Sequence, residues 1–131
     1  MILDSSAVYA ILMREPAASG LLAHISDAPT IEIGAPTLAE CGIVISARIG
    51  VIGRTLLSRF LEEASVRTLS FSDEHWPVSV DAYRRFGKGR HAAALNFGDC
   101  LTYATARLAG GPLLCVGQDF TRTDLEVVSD R

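Results

Sequence analysis

Apolar and polar positions along this chain follow two rhythms, and the places where one gives way to the other predict its elements. Residues 1 to 3 form a short apolar strand, and from about Ser5 the apolar positions Ala7, Val8, Ile11 and Leu12 recur at helical spacing, with Asp4 as candidate N-cap. Pro16 suits the first turn of a second helix to about Asp27, whose inner face is Leu21, Leu22 and Ile25. Thr30 to Gly34 alternates as a strand, and Ala35-Pro36-Thr37 opens a helix carrying Glu40, Ile43, Val44 and Ala47. Beyond Gly50 and Gly53, Leu56, Leu57, Phe60 and Leu61 mark a fourth helix.

The second half repeats the alternation. Arg67 to Phe71 reads as a strand, and Asp73 to Phe86 as a helix that Pro77 starts near Glu74 or kinks. Gly87-Lys88-Gly89 ends it, a loop through Asn96 leads to a helix over Gly98 to Ala109, and Gly110-Gly111-Pro112 stops that one. Leu113 to Val116 is a continuous apolar run suited to a central parallel strand, and Leu125 to Val128 predicts the last. Strands joined through helices imply an α/β fold, a three-layer α/β/α sandwich with a parallel sheet of about five strands. The 131 residues are expected to form a single domain, 1-131.

Composition narrows the class. Hydrophobic residues make up 49% and charged residues 21%, enough apolar surface to offset backbone entropy and argue against disorder. No apolar run reaches the roughly 18 residues of a membrane span, and Asp4 interrupts what would be a signal-peptide core, so a cytoplasmic protein is expected. Cys41, Cys100 and Cys115 are odd in number and lack metal-ligand spacing, which predicts small buried hydrophobes.

Four acids stand where a predicted strand gives way to a helix or turn: Asp4, Glu40, Asp99 and Asp119. Open parallel sheets bind ligands beyond the carboxyl ends of their strands, the edge at which all four are expected. Gathered there, they would hold a hard divalent cation such as Mg²⁺ or Mn²⁺, which prefers oxygen ligands and needs negative charge around it. Each has a plainer reading as well. Asp4 caps a helix, Glu40 follows Thr37 and Asp99 follows Asn96 at capping-box spacing, and Asp119 stabilises a turn. Asp124 is the reserve for the fourth position.

The net charge of −3 speaks mildly against nucleic acid, yet its distribution does not. Arg84, Arg85, Lys88, Arg90 and His91 cluster in a stretch that has no acid between Asp81 and Asp99. Counting the four candidate ligands as neutralised leaves the remainder slightly basic. The cluster reads either as an RNA-backbone contact or as a solvated helix end. Trp76, Tyr83 and Phe97 are candidates for base stacking, with core or groove packing as the plainer role. A mean hydropathy of +0.28 leaves apolar residues, as in the stretch from Cys41 to Gly53, for either a filled core or a partner surface.

The opening ILDSSAVYAIL, the TLAE holding Glu40, the segment LNFGDCLTYATAR around Asp99, and PLLCVGQDFTRTD near the end resemble, in order and spacing, the PIN-domain ribonucleases, specifically the VapC toxins of bacterial VapBC toxin–antitoxin pairs. The resemblance spans the chain and implies a PIN-like fold. It maps the family's acids onto Asp4, Glu40 and Asp99, its more variable last acid onto Asp119, and a supporting hydroxyl onto Ser6. It implies an endoribonuclease toxin, dependent on Mg²⁺ with Mn²⁺ as substitute, that cuts structured RNA (tRNA or rRNA), inhibits translation and arrests growth. In that reading a metal held by Asp4 and Asp99 activates water for in-line attack, Glu40 and Asp119 complete the charge balance, and Arg84, Arg85, Lys88 and Arg90 position the backbone. The products would carry 5′-phosphate and 3′-hydroxyl ends. The implied partners are a VapB-type antitoxin and a second copy in a homodimer.

Two other classes compete. An aspartate-dependent phosphatase of the haloacid-dehalogenase type needs a second aspartate two residues after the first, where this chain has Ser6, and a receiver domain needs a lysine near its last strands, where the chain offers only Lys88. A glycine fingerprint for dinucleotides is absent. A catalytically silent PIN-fold binding module is the third reading, distinguished by its failure to bind Mn²⁺.

Overall fold

A computed structural model describes residues 1–130. Its five strands, β1 (Ile2–Leu3), β2 (Glu32–Gly34), β3 (Arg67–Leu69), β4 (Leu113–Val116) and β5 (Val127–Asp130), pair in the order β3-β2-β1-β4-β5, all parallel. The chain therefore winds outward from β1 through β2 to β3, then returns to the other side of β1 for β4 and β5. The reversal places the topological switch between β1 and β4, where crevices open in such sheets.

Helices α1 (Ser5–Leu12), α2 (Ala18–Asp27), α3 (Ala35–Ile49), α4 (Ile52–Glu63), α5 (His75–Phe86) and α6 (Phe97–Ala109) cover the sheet. Strand side chains alternate between faces, so neighbouring residues feed different cores. Leu3 and Leu114 pack with Val8, Leu21, Ile33, Ile45 and Phe60, whereas Ile2 and Leu113 pack with Ala82, Phe86, Tyr103 and Ala106. Two cores on opposite sides of one sheet are the three layers expected. Cys41, Cys100 and Cys115 are free and buried, as predicted. Among the described residues, no helix is long and apolar enough to cross a membrane.

Boundaries differ from expectation where local hydrogen bonds compete. Pro16 precedes rather than opens α2, in a turn closed by the Ala18 N–H on the Glu15 carbonyl at 2.9 Å. The edge strand β3 stops at Leu69, because its one partner among the described residues, β2, ends at Gly34 where α3 begins. Leu125 still belongs to a turn, its N–H donating to Thr123 Oγ1 at 3.3 Å, so β5 starts later than the apolar pattern suggests. Pro77 sits in the first turn of α5, where it removes no helical bond. At the far end of α6, Gly110 takes the left-handed conformation (φ 72°) and terminates the helix.

Candidate active site

Asp4 leaves the end of β1 directly beside β4, its N–H donating to the Leu114 carbonyl at 3.0 Å. It caps α1 as expected, Oδ2 accepting from the Ser6 N–H at 3.1 Å and from Ser6 Oγ at 2.5 Å. Ser6 Oγ in turn accepts the Val116 N–H at 3.0 Å, tying the α1 turn to the end of β4. Asp4 is only 4% exposed, and burial raises its carboxyl above the usual range against the lowering effect of hydrogen bonds from Ser6 and Thr102.

Glu40 reaches the same edge from the second turn of α3, but the expected capping box with Thr37 does not form. The helix begins at Ala35 with Gly34 as cap, which puts Thr37 inside the first turn, where its buried hydroxyl meets that of Thr102 at 3.0 Å. Glu40 is thus released from a helix-start role. Its Oε2 accepts instead from the Tyr9 hydroxyl at 3.3 Å.

Asp99 does form its capping box: its N–H donates to Asn96 Oδ1 at 2.9 Å, and its own Oδ2 accepts the Asn96 N–H at 3.1 Å. Even so, its carboxyl is raised to about 6, first by burial and then by the charges of Asp4, Asp119 and Glu40, while the Asn96 bond opposes the shift. The other three candidate acids therefore all act on Asp99. Asp119 stands exposed at the start of a 3₁₀ turn (Phe120–Arg122) after β4, with no side-chain capping bond. Among the described residues, no lysine, arginine or histidine forms a salt bridge with any of these four acids.

Asp124, the reserve, has a different task. It accepts from the Tyr103 hydroxyl at 2.6 Å and pairs with Arg107 at 3.2 Å and Arg85 at 3.3 Å. Burial pushes its pKa up, but Tyr103, Arg107 and Arg85 outweigh that and hold it below the usual range. It locks the end of α5 and the middle of α6 to the last turn.

The basic stretch divides in the same way. Arg85 is engaged with Asp124 and lies 4.7 Å from the Phe86 ring, and exposed Arg84 pairs weakly with Asp81 at 3.6 Å. Lys88 is exposed in the loop after α5, and Arg90 lies 5.7 Å from the Tyr83 ring. His91 supports the loop, its Nδ1 accepting the Ala93 N–H at 3.0 Å and its ring meeting Phe86 edge-on. Arg122, absent from the sequence reading, donates to the Ala92 carbonyl at 3.2 Å and adds a cation three residues from Asp119.

Core packing is ruled out for Trp76, Tyr83 and Phe97, which remain 59%, 44% and 78% exposed. Tyr83 and Phe97 line apolar grooves instead. One lies between α5 and α6, walled by Val80, Tyr83, Phe97 and Leu101, and a second of about 600 Å³ runs between α3 and α6 past Glu40, Ile43 and Gly98.

The donor set suits a hard cation: carboxylate oxygens alone, whose charges add to burial in raising Asp99, with no salt-bridged cation to offset them among the described residues. Among the described residues, no three His, Cys, Asp or Glu side chains form a ready-made chelate, so a bound ion would have to draw these oxygens inward.

The PIN domain family model matches residues 1–126. Ribonuclease VapC36 of Mycobacterium tuberculosis is 50% identical over 127 residues, covering 96% of this chain and 91% of its own. A chain from the crystal structure of VapBC2 from Rickettsia felis, bound to a DNA fragment from its promoter, superposes with a TM-score of 0.78 at 19% identity, over 99% of this chain and 98% of that one. VapC20 of Mycobacterium tuberculosis, a sarcin-ricin loop cleaving toxin, gives 0.76 at 18% identity over 95% of each chain. At those identities the two structures speak to the fold.

Proposed function

As the chain belongs to the PIN domain family, among its VapC ribonucleases, we propose that it is a metal-dependent endoribonuclease toxin held in check by a VapB-type antitoxin. One observation carries the reading: Asp4, Glu40 and Asp119 come from separate elements, add their charges to burial in raising the half-buried Asp99, and among the described residues have no basic side chain in a salt bridge. A helix cap alone would account for the Asn96 bond and the burial of Asp99, but not for the added charges of three acids from other elements.

Asp4, Glu40, Asp99 and Asp119 would hold Mg²⁺, or Mn²⁺ in its place. A divalent ion bound there supplies Lewis acidity at the scissile phosphate. The chain does the positioning. Ser6 and Thr102 fix Asp4, and the Asn96 box fixes Asp99 while leaving its second oxygen for a ligand. The exposed Lys88 and Arg90, with Arg84 and Arg122 nearby in sequence or in the adjoining loop, would hold the RNA backbone as point charges. Arg85 contributes less, because Asp124 already engages it.

Partners follow from the surface. Ile43 and Phe97 are 71% and 78% exposed on the groove beside Glu40, an apolar border suited to an antitoxin segment or a second copy. The VapBC2 assembly is a fold neighbour in which toxin and antitoxin occur together.

The test is RNA cleavage by purified wild type, Asp4→Asn and Asp99→Asn in Mg²⁺ or EDTA, with 5′-end mapping. Cleavage in Mg²⁺ by wild type alone is expected. A silent binding module would show no cleavage and no thermal stabilisation by Mn²⁺. Equal metal-dependent cleavage by both variants would overturn the site.

A further inference from the structure

Glu40 is the acid whose orientation α3 itself does not explain. Glutamate has three rotatable side-chain bonds, and ordering it costs rotamer entropy unless something holds it. Neither of the usual local anchors is available, since Gly34 rather than Thr37 caps α3 and the Thr37 hydroxyl is turned to Thr102. The anchor comes from another helix. Tyr9, half-buried one turn along α1 from Ser5, donates its hydroxyl to Glu40 Oε2 at 3.3 Å, and Arg48 of α3 lies 5.7 Å from its ring.

We propose that Tyr9 is a positioning residue for the cation site, holding Glu40 so that its other oxygen, Oε1, turns toward the start of α6 and Asp99. This deepens the reading of the site given above and rests on it. The far oxygen supplies a second, independent mark of the same orientation. A Cβ placed on Gly98, the residue before Asp99, would come within 3.0 Å of Glu40 Oε1. Glu40 thus lies between a donor on one side and a glycine on the other, and a bulkier residue at 98 would push it away. The phenol is suited to its task, because its hydroxyl donates one hydrogen bond to the carboxylate without adding a charge of its own. Arg48 holds the ring by its face and makes no salt bridge with the carboxylate, so Glu40 keeps its charge free for a cation.

The substitution Tyr9→Phe removes the hydroxyl and keeps the ring. Mn²⁺ binding, measured by calorimetry at pH 7.5 on the full chain, should weaken roughly tenfold, as is common when an outer partner of a metal ligand is lost. Thermal unfolding in EDTA should stay close to wild type. In a Glu40→Gln background the same substitution should change nothing further, because its effect passes through Glu40. Gly98→Ala, which leaves Tyr9 intact, should also weaken Mn²⁺. Wild-type affinity in either Tyr9→Phe or Gly98→Ala would overturn the inference while leaving the cation site standing, as would an equal loss on adding Tyr9→Phe to Glu40→Gln. A wild-type protein that binds no Mn²⁺ would bring down the cation site and this inference together.

Discussion

Asn96 and Asp99 bond reciprocally, each side chain accepting the other's backbone N–H, at 2.9 and 3.1 Å. Asp99, a candidate cation ligand, is therefore also a helix-start residue, and the two roles separate under substitution. Asn96→Ala should cost about 1 kcal/mol through the lost cap. Asp99→Asn keeps an oxygen able to accept the Asn96 N–H, so in thermal melts without metal at about pH 5, where the wild-type acid is largely protonated, it should unfold near the wild-type temperature, and at about pH 7.5 it should show no stabilisation by Mn²⁺.

Asp99 also predicts how stability depends on pH without metal. Its folded carboxyl titrates at about 6 against an ordinary 3.8, so the native state holds the proton more tightly than the unfolded chain. That contribution is fully present below about 3.8 and is lost as pH rises through 6. Asp4 shifts in the same direction. Urea midpoints in EDTA should therefore fall between pH 5 and pH 7, and Asp99→Asn should flatten the slope. A midpoint that rises over this interval in wild type but not in the variant would contradict the crowding.

Ser6 bridges Asp4 and the Val116 N–H. Ser6→Ala leaves that N–H without its partner, which should cost about 1–3 kcal/mol in denaturant titrations. It should weaken Mn²⁺ as well, since Asp4 loses the hydroxyl that orients it.

Asp124 is the contrasting acid. Asp124→Ala breaks contacts to Tyr103, Arg85 and Arg107 and should lower the unfolding midpoint, most visibly well above pH 4, because a depressed carboxyl contributes when ionised and loses that effect as pH falls. Mn²⁺ affinity should be unchanged. A loss of affinity comparable with that of Asp119→Asn would return Asp124 to the candidate ligands.

Replacing exposed Lys88 and Arg90 together by alanine should raise KM for RNA, leave kcat nearly unaltered and reduce the salt dependence of binding. Steady-state cleavage at two salt concentrations reads all three.

Much of this protein is written in local pattern. Among the described residues, the period of the apolar residues located the five strands and six α-helices but not the 3₁₀ turn at Phe120–Arg122, because packing on a sheet face or a helix stripe imposes spacing directly on the chain, and the Asn96-Asp99 box is a three-residue signal. Motif order was enough to expect the family. What tertiary structure decided concerns which of several local bonds prevails. Glu40 stands at capping-box distance from Thr37, yet a hydroxyl of α6 claims Thr37 and a phenol of α1 claims Glu40. Asp119 and Asp124 look alike in sequence, but only Asp124 falls within reach of Arg85, Arg107 and Tyr103. Tyr9 sits inside an apolar run with nothing local to mark it. Contacts across distant segments depend on where folded elements cross, and no spacing along a single chain encodes the crossing.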